Sequence, residues 1–348
     1  MIPSENTFAA LIGIEGNQWH YHIPRFQREY VWGKYNWSKL IEDIYENEPG
    51  HYMGSVICVH ETVEYSPEQE LIYEVVDGQQ RLTTLSILLA AIYYKLKNQV
   101  LQANPAIKEE DEYIIRCNSI RQRLVKKINL AKGATPSWAF KNDGNTYCLR
   151  VQPSTQEFNL EDYKYILSEA GILKDIKSPK NCGNRRLFKA FKYFLQSIPD
   201  DYNGLIDLLE RVYRLSFIHI SEASQTKAFL LFETLNFRGV PLSAVDIIKN
   251  KMLATLERKH NQSIDDAYEE WQKLLGYLPE DHDQDRFLRQ YYNAFKYRSE
   301  VKIDKIPKAT ASTIIAIYEN LIKGDASAIF KDLLEKASLY NKFIEPEK

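Results

Sequence analysis

A short apolar run, Leu71-Ile72-Tyr73-Glu74-Val75-Val76, ends at Asp77-Gly78, and a different periodicity starts directly after it. Leu82, Leu85, Leu89, Ile92 and Leu96 recur at three- and four-residue steps, as a helix requires, whereas the preceding run is short and β-branched, as a strand requires. Gly78 therefore falls on a strand-to-helix turn. The first amides of such a helix lack intrahelical partners and carry the positive end of its dipole, so phosphate or carboxylate can bind there. Arg81 adds a planar fork of donors, and Asp77 can hold a metal or a water. The plainer alternative is that Asp77 caps the helix, Gly78 makes a turn and Arg81 is solvated.

The 348 residues suffice for one large or two ordinary domains, and 44% hydrophobic content supports a core. Lys+Arg 45 against Asp+Glu 47 gives a formal charge of −2, so any anion site is local. Two stretches qualify. Arg116 to Arg150 contains Arg121, Arg123, Lys126 and Lys127 against the single acid Asp143, and Lys174 to Lys192 contains Arg185 and Arg186 against Asp175. Such clusters suit a phosphate backbone, although solvated helix faces have the same composition. Cys58, Cys117, Cys148 and Cys182 are scattered without metal spacing, which indicates neither zinc nor disulfides and points to the reducing cytoplasm. No apolar run is long enough to cross a bilayer, so no membrane role is expected.

The fold class read from the pattern is α+β. Residues 1–104 form a small α+β domain: an extended His22–Trp32 segment, a helix around Trp37–Tyr45, strands at Tyr52–Val59 and Leu71–Val76, and the helix after Gly78. Residues 105–348 are expected to be mostly helical, broken at Lys132–Pro136, Asn142–Asn145 and Ser178–Asn184. Ser243-Ala244-Val245-Asp246 has capping-box spacing, and Lys249 lies one turn beyond Asp246. The phosphate loop, the dinucleotide fingerprint and the His-Glu-x-x-His helix are all missing, as is a His-Asn-His array.

Three segments combine arginine with amides or acids: Arg25-Phe26-Gln27-Arg28, Asp77–Arg81, and Phe232-Glu233-Thr234-Leu235-Asn236-Phe237-Arg238-Gly239. With Met53-Gly54-Ser55 and the run on to Asp246-Ile247-Ile248-Lys249, they resemble, in order, the motifs of the GmrS-like domain, the N-terminal half of GmrSD-type modification-dependent restriction enzymes. SspE anti-phage proteins share that domain. The resemblance extends from about residue 20 to about residue 300; Phe237 departs from the polar residue often found there.

The resemblance implies a ParB/sulfiredoxin-like core that binds and hydrolyses a nucleoside triphosphate (GTP, ATP, CTP or UTP) with Mg2+ and licenses cleavage of modified phage DNA. Carried over, Asp77, Gln79, Gln80 and Arg81 are the catalytic candidates, with Asp77 also the metal ligand. Arg25, Gln27, Arg28, Gly78, Thr83, Asn236, Arg238, Asp246 and Lys249 would bind nucleotide. Arg121, Arg123, Lys126, Lys127, Arg185 and Arg186 are candidate DNA contacts. The family's His-Asn-His-type nuclease has no counterpart in this sequence, which makes it a separate partner or an absent domain; assembly into a homo-oligomer is compatible with the sequence. Two further readings stay open: a specificity subunit that binds nucleotide or DNA without turnover, and a ParB-like nickase.

Overall fold

The computed structural model describes residues 2–13, 19–24, 27, 29–63, 70–101, 112–129, 135, 138–154, 158–222, 228, 231, 243–260, 264–278, 280–298, 301, 303 and 307–344. They fall into two compact units, Met1–Ala228 and Phe229–Lys348.

The first unit is built on a six-stranded mixed sheet. Its strands are β1 (Ile2–Thr7), β2 (Trp19–His22), β3 (Tyr52–Val63), β4 (Glu70–Asp77), β8 (Val151–Gln152) and β9 (Ser216–Glu222), in the order β1-β9-β3-β4-β2-β8. The pairs β1/β9 and β3/β4 are antiparallel, while β9/β3, β4/β2 and β2/β8 are parallel. A second sheet has the order β5-β7-β6, from β5 (Val125–Ile128), β6 (Ala139–Asn142) and β7 (Asn145–Leu149). The β6–β7 turn is Asp143-Gly144, both at positive φ (48° and 72°), the conformation that makes Asp-Gly a hairpin turn.

Five of the nine strands among the described residues therefore lie beyond residue 104, in a stretch expected to be mostly helical. The first compact unit accordingly ends at 228 rather than near 104, because β8 and β9 complete the sheet that β1–β4 begin. The anticipated strand pair and the helices after Gly33 and Gly78 are present, the helices as α2 (Lys34–Glu46) and α3 (Gln79–Lys95).

Helix α3 is the centre of this unit. Leu82, Leu85, Ile87, Leu88, Leu89, Ala90, Ala91 and Ile92 have no exposed surface, so apolar residues face inward all round the helix rather than along one stripe. It packs against α4 (Glu112–Leu124), α5 (Asn159–Glu169), α6 (Arg186–Ser197) and α7 (Tyr202–Arg214). At its far end the buried Lys95 donates to the Ile198 carbonyl (2.8 Å) and Asp200 Oδ1 (2.6 Å), which ties α3 to the loop between α6 and α7. The sheet adds Tyr21, Val56, Cys58, Val75 and Phe217 to the same core. His219 on β9 sits edge-on to Tyr21 and Tyr73 at 5.9 and 5.0 Å.

The second unit contains the helices α8 (Ala244–His260), α9 (Ile264–Gly276), α10 (Asp281–Phe295) and α11 (Ile314–Ile344), the last kinked at Asp325. Trp271 stacks on Phe330 at 5.8 Å, and the buried Tyr318 hydroxyl donates to the Leu288 carbonyl at 2.9 Å. Among the described residues no helix is long and apolar enough to cross a membrane, and all four cysteines are buried and unbridged.

Leu88→Ala, at the fully enclosed middle of α3, is expected to lower unfolding free energy by about 2–5 kcal/mol, read from urea midpoints. Burial lowers the His219 imidazole to about 4, and His22 in the same direction, against roughly 6.5 in an unfolded chain. The unfolded state then binds the extra protons, so this contribution is complete above about pH 6.5 and is lost as pH falls toward about 4. Urea midpoints should drop between pH 7 and pH 4.5, and His219→Asn should show a shallower fall whatever its absolute stability.

Candidate functional site

The turn between β4 and α3 depends on two glycines. Gly78, at φ 92° and ψ 0°, is left-handed, and a Cβ there would meet Val56 Cγ2 at 3.1 Å and the Ser55 carbonyl oxygen at 3.2 Å. Gly54, at φ 110°, lies where the β3/β9 register shifts between Tyr52 and Ser55. A Cβ on Gly54 would come within 1.7 Å of Arg81 Nη1. The irregularity turns carbonyls toward Arg81, which donates from Nη1 to Met53 O (2.7 Å) and from Nη2 to Ser55 O (2.9 Å) and Asp77 Oδ2 (3.0 Å). Both terminal nitrogens of the fork thus have protein partners. Neither side chain of the Asp77–Arg81 pair is deeply buried (22% and 21% exposed).

Gln80 has a comparable role toward a different segment. Its Oε1 accepts the Val31 amide at 2.9 Å and its Nε2 donates to the Glu29 carbonyl at 3.0 Å, the two bonds a neighbouring strand would make. Below it, Trp37 Nε1 donates to the Tyr30 hydroxyl (2.8 Å), Tyr30 to Thr84 Oγ1 (2.7 Å), and Thr84 to the Gln80 carbonyl (2.7 Å). The Thr84–Gln80 bond fixes the direction of the whole relay. Burial raises the Tyr30 phenol, so it remains a neutral donor.

Gln79 is placed differently. Its Nε2 donates to Gln27 Oε1 at 3.3 Å, while Gln27 itself is 4% exposed and its buried Nε2 has no hydrogen-bond partner. A buried donor left unpaired costs about 1–3 kcal/mol, which an acceptor on a bound molecule would recover. Beside it Ile23, Tyr30, Gln79, Gln80, Thr83, Pro153, Ser154 and Asn159 enclose a cavity of about 10 Å³, room for roughly one water. Ser154 and Asn159 stand out in no sequence motif; only the fold brings them here.

Three separated sequence motifs, around Gln27, Gly54 and Asp77–Thr84, thus converge on one end of α3. Arg25, Arg28, Asn236 and Arg238 fall outside the described residues. In the second unit Ser243 Oγ accepts the Asp246 amide (3.1 Å), so the anticipated cap is formed, with Asp246 taking the Ser243 hydroxyl (2.9 Å) and pairing with Lys249 at 3.1 Å. Among the described residues no group of three or more His, Cys, Asp or Glu converges as a metal cage.

The basic candidates separate. Arg185 makes a bidentate pair with the buried Asp162 (2.5 and 2.6 Å) and also donates to the Lys180 carbonyl. Arg123 lies over the Tyr213 ring at 4.6 Å and bonds Ser119 Oγ. Arg186 donates to the Val31 carbonyl at 3.2 Å, which places it beside the segment that Gln80 holds. Arg121, Lys126 and Lys127 line one cavity together with Arg150.

The fold and this junction define an α+β protein in which three of the recognisable motifs meet at a single strand-to-helix turn. The family model for the GmrSD restriction endonuclease N-terminal domain matches residues 10–253, more than two thirds of the chain. This chain belongs to that family, and its role is therefore in the restriction of DNA, the substrate of the family's enzymes. No curated protein matches it.

Gly54→Ala is expected to cost roughly 1–3 kcal/mol, because it forces both a left-handed alanine and displacement of Arg81. Gly276→Ala, with open space around it and an ordinary φ, should stay within about 1 kcal/mol in the same thermal melts.

Proposed function

We propose that the end of α3 binds the polyphosphate of a nucleoside triphosphate, and that the chain is the nucleotide-dependent sensor that licenses a nuclease to cut modified DNA. The observation that carries this reading is the unpartnered Gln27 Nε2, held by Gln79 beside the first turn of α3. Backbone amides at that turn supply the anion site, and Gln27 supplies a donor aimed at the same ligand.

In this reading Arg81 and Gln80 are positioning residues. Arg81 holds the turn against β3, and Gln80 holds residues 29–31 beside it. Gln79 lines the one-water cavity and orients a water for attack on the terminal phosphate. Asp77 alone is too few ligands for a protein-built metal cage, but one carboxylate suits Mg2+, which is held mainly by phosphate oxygens and waters. The ParB/sulfiredoxin-like core that the family resemblance implies would suit a phosphate site at this turn.

A second reading has its own observation in favour. Asp77 Oδ2 and both terminal nitrogens of Arg81 are engaged with each other and with β3, so the turn has the features of a binding platform without turnover. In that case the chain is a specificity subunit.

Phosphate release from ATP, GTP, CTP and UTP, with and without modified duplex DNA, separates the two. Turnover stimulated by modified DNA is expected, with Arg81→Ala losing nucleotide binding as the turn loosens. Gln79→Ala should keep binding and lose at least 10²-fold in turnover. Nucleotide binding with no phosphate release under any DNA condition would establish the subunit reading; unchanged binding by Arg81→Ala and by Gln27→Ala would remove the site from this turn.

A further inference from the structure

Residues 176–197 carry six cations, Lys177, Lys180, Arg185, Arg186, Lys189 and Lys192, and no acid, in a chain whose formal charge is −2. Most of this stretch is α6, whose Leu187, Phe188, Ala190, Phe191 and Phe194 are buried. Arg186, Lys189 and Lys192 follow at steps of three on its exposed side, about 4.5 Å apart along the axis. We propose that this outer face of α6, with Lys180 at its head, is a seat for the sugar-phosphate backbone of duplex DNA.

An ordinary solvated helix face looks different in this molecule. Lys39 pairs with Asp43 at 3.3 Å on α2, Arg116 with Glu112 at 3.2 Å on α4, Arg211 with Asp207 at 3.0 Å on α7 and Arg289 with Asp285 at 2.5 Å on α10. Those helices match their surface cations with acids four residues away. Helix α6 has no acid at any position, and among the described residues Lys180, Lys189 and Lys192 make no ion pair. Lys192 finds only the Phe188 ring, at 5.0 Å. Arg186 and Lys189 also lie near the N-terminal end of the helix, where the dipole disfavours positive charge. The stability of α6 therefore does not account for the charge that it carries.

Arg185 sets the geometry of the face without belonging to it. Its bidentate pair with the buried Asp162, and its bond to the Lys180 carbonyl at 2.7 Å, tie the preceding turn to α5 and to the start of α6. The Lys180 side chain stays exposed while its backbone is fixed at the head of the helix. Arg186 reaches the other way, to the Val31 carbonyl at 3.2 Å. Helix α6 itself packs on α2, α3 and α5, so the row of cations stands on a fixed wall.

An exposed helix face encloses nothing, so its ligand is a surface larger than itself. A row of like charges suits a polymer charged at short regular intervals, and duplex DNA presents one negative charge per ~1.7 Å of its axis. DNA is the substrate of this family, and the inference rests on that and not on nucleotide turnover. Phosphate contacts position a protein without reading bases, so this face holds modified and unmodified duplexes alike.

The test is binding of the full chain to a short duplex, unmodified and modified, over a range of salt concentrations and with no nucleotide present. Lys189→Gln/Lys192→Gln, Lys189→Arg/Lys192→Arg and Lys180→Gln are compared with Lys331→Gln/Lys342→Gln, a charge-matched change at two exposed lysines of α11. Every replaced side chain is exposed, and parental urea midpoints verify that the variants are folded. Each lost phosphate contact lowers the slope of log affinity against log salt by about 0.9. The glutamine pair on α6 should lose between roughly one and two such increments and weaken both duplexes by the same factor. Lys180→Gln should move in the same direction, while the arginine pair and the α11 control keep the parental slope. A parental slope in the glutamine pair overturns the proposal, as does an equal loss in the arginine pair or the control, or a parent chain that binds neither duplex. A loss confined to the modified duplex overturns it by assigning α6 to base readout. Titration of ATP and GTP should give parental affinity in every variant; a nucleotide defect with an intact DNA slope would transfer the face to the nucleotide. Because the DNA slope is read without nucleotide, failure of the proposed triphosphate site leaves this result standing.

Discussion

The contact on which this molecule depends is the fork of Arg81 against the Met53 and Ser55 carbonyls. It clamps the first turn of α3 to an irregular stretch of β3, and Asp77 completes the seat from the end of β4. Because the strands and the helix are adjacent in sequence only at Gly78, this side chain is what makes strand end, bulge and helix start a single rigid corner. Gly54 and Gly78 are the space it requires. An arginine that looks in isolation like a phosphate ligand is here the keystone of the corner on which a ligand would rest.

That corner has a second layer. Gln80 treats residues 29–31 as a strand would, through backbone groups alone, and the Trp37–Tyr30–Thr84 relay locks the same segment from below. Recognition through the backbone fixes the path of that segment, and the Tyr30 side chain anchors it to α2 and α3. Just before that segment Gln27 is held by Gln79, and its unsatisfied amide marks where the layer is incomplete.

Much of this was legible in the residues, for physical reasons that can be stated. The switch from a β-branched run to a three-and-four periodicity marks Gly78 as a turn, and the turn is there. Ser243 and Asp246 have capping spacing, and the cap forms. What could not be read was the sheet beyond residue 104. β8 has two residues, too few for any period, and β5 follows α4 without a break. Asp143-Gly144 did carry a hairpin signal, but a polar tetrapeptide between apolar stretches also looks like a helix interruption. β9 alternates Phe217, His219 and Ser221 with Ile218 and Ile220, a pattern clouded by its histidine and serines. The roles of Gln80, Arg81 and Arg185 were likewise hidden, because a charged or amide side chain does not announce whether its partner is a ligand or a group of the chain itself brought near by the fold.

The enclosure of α3 has a mechanical meaning. A surface helix can tilt or slide at small cost, but one walled by four helices and a sheet has no direction in which to yield without opening the core. Whatever docks at its first turn meets an anvil. Any signal sent onward from that point must therefore travel through the pieces that close upon the helix, and the helix itself serves as the fixed reference against which their movement is measured.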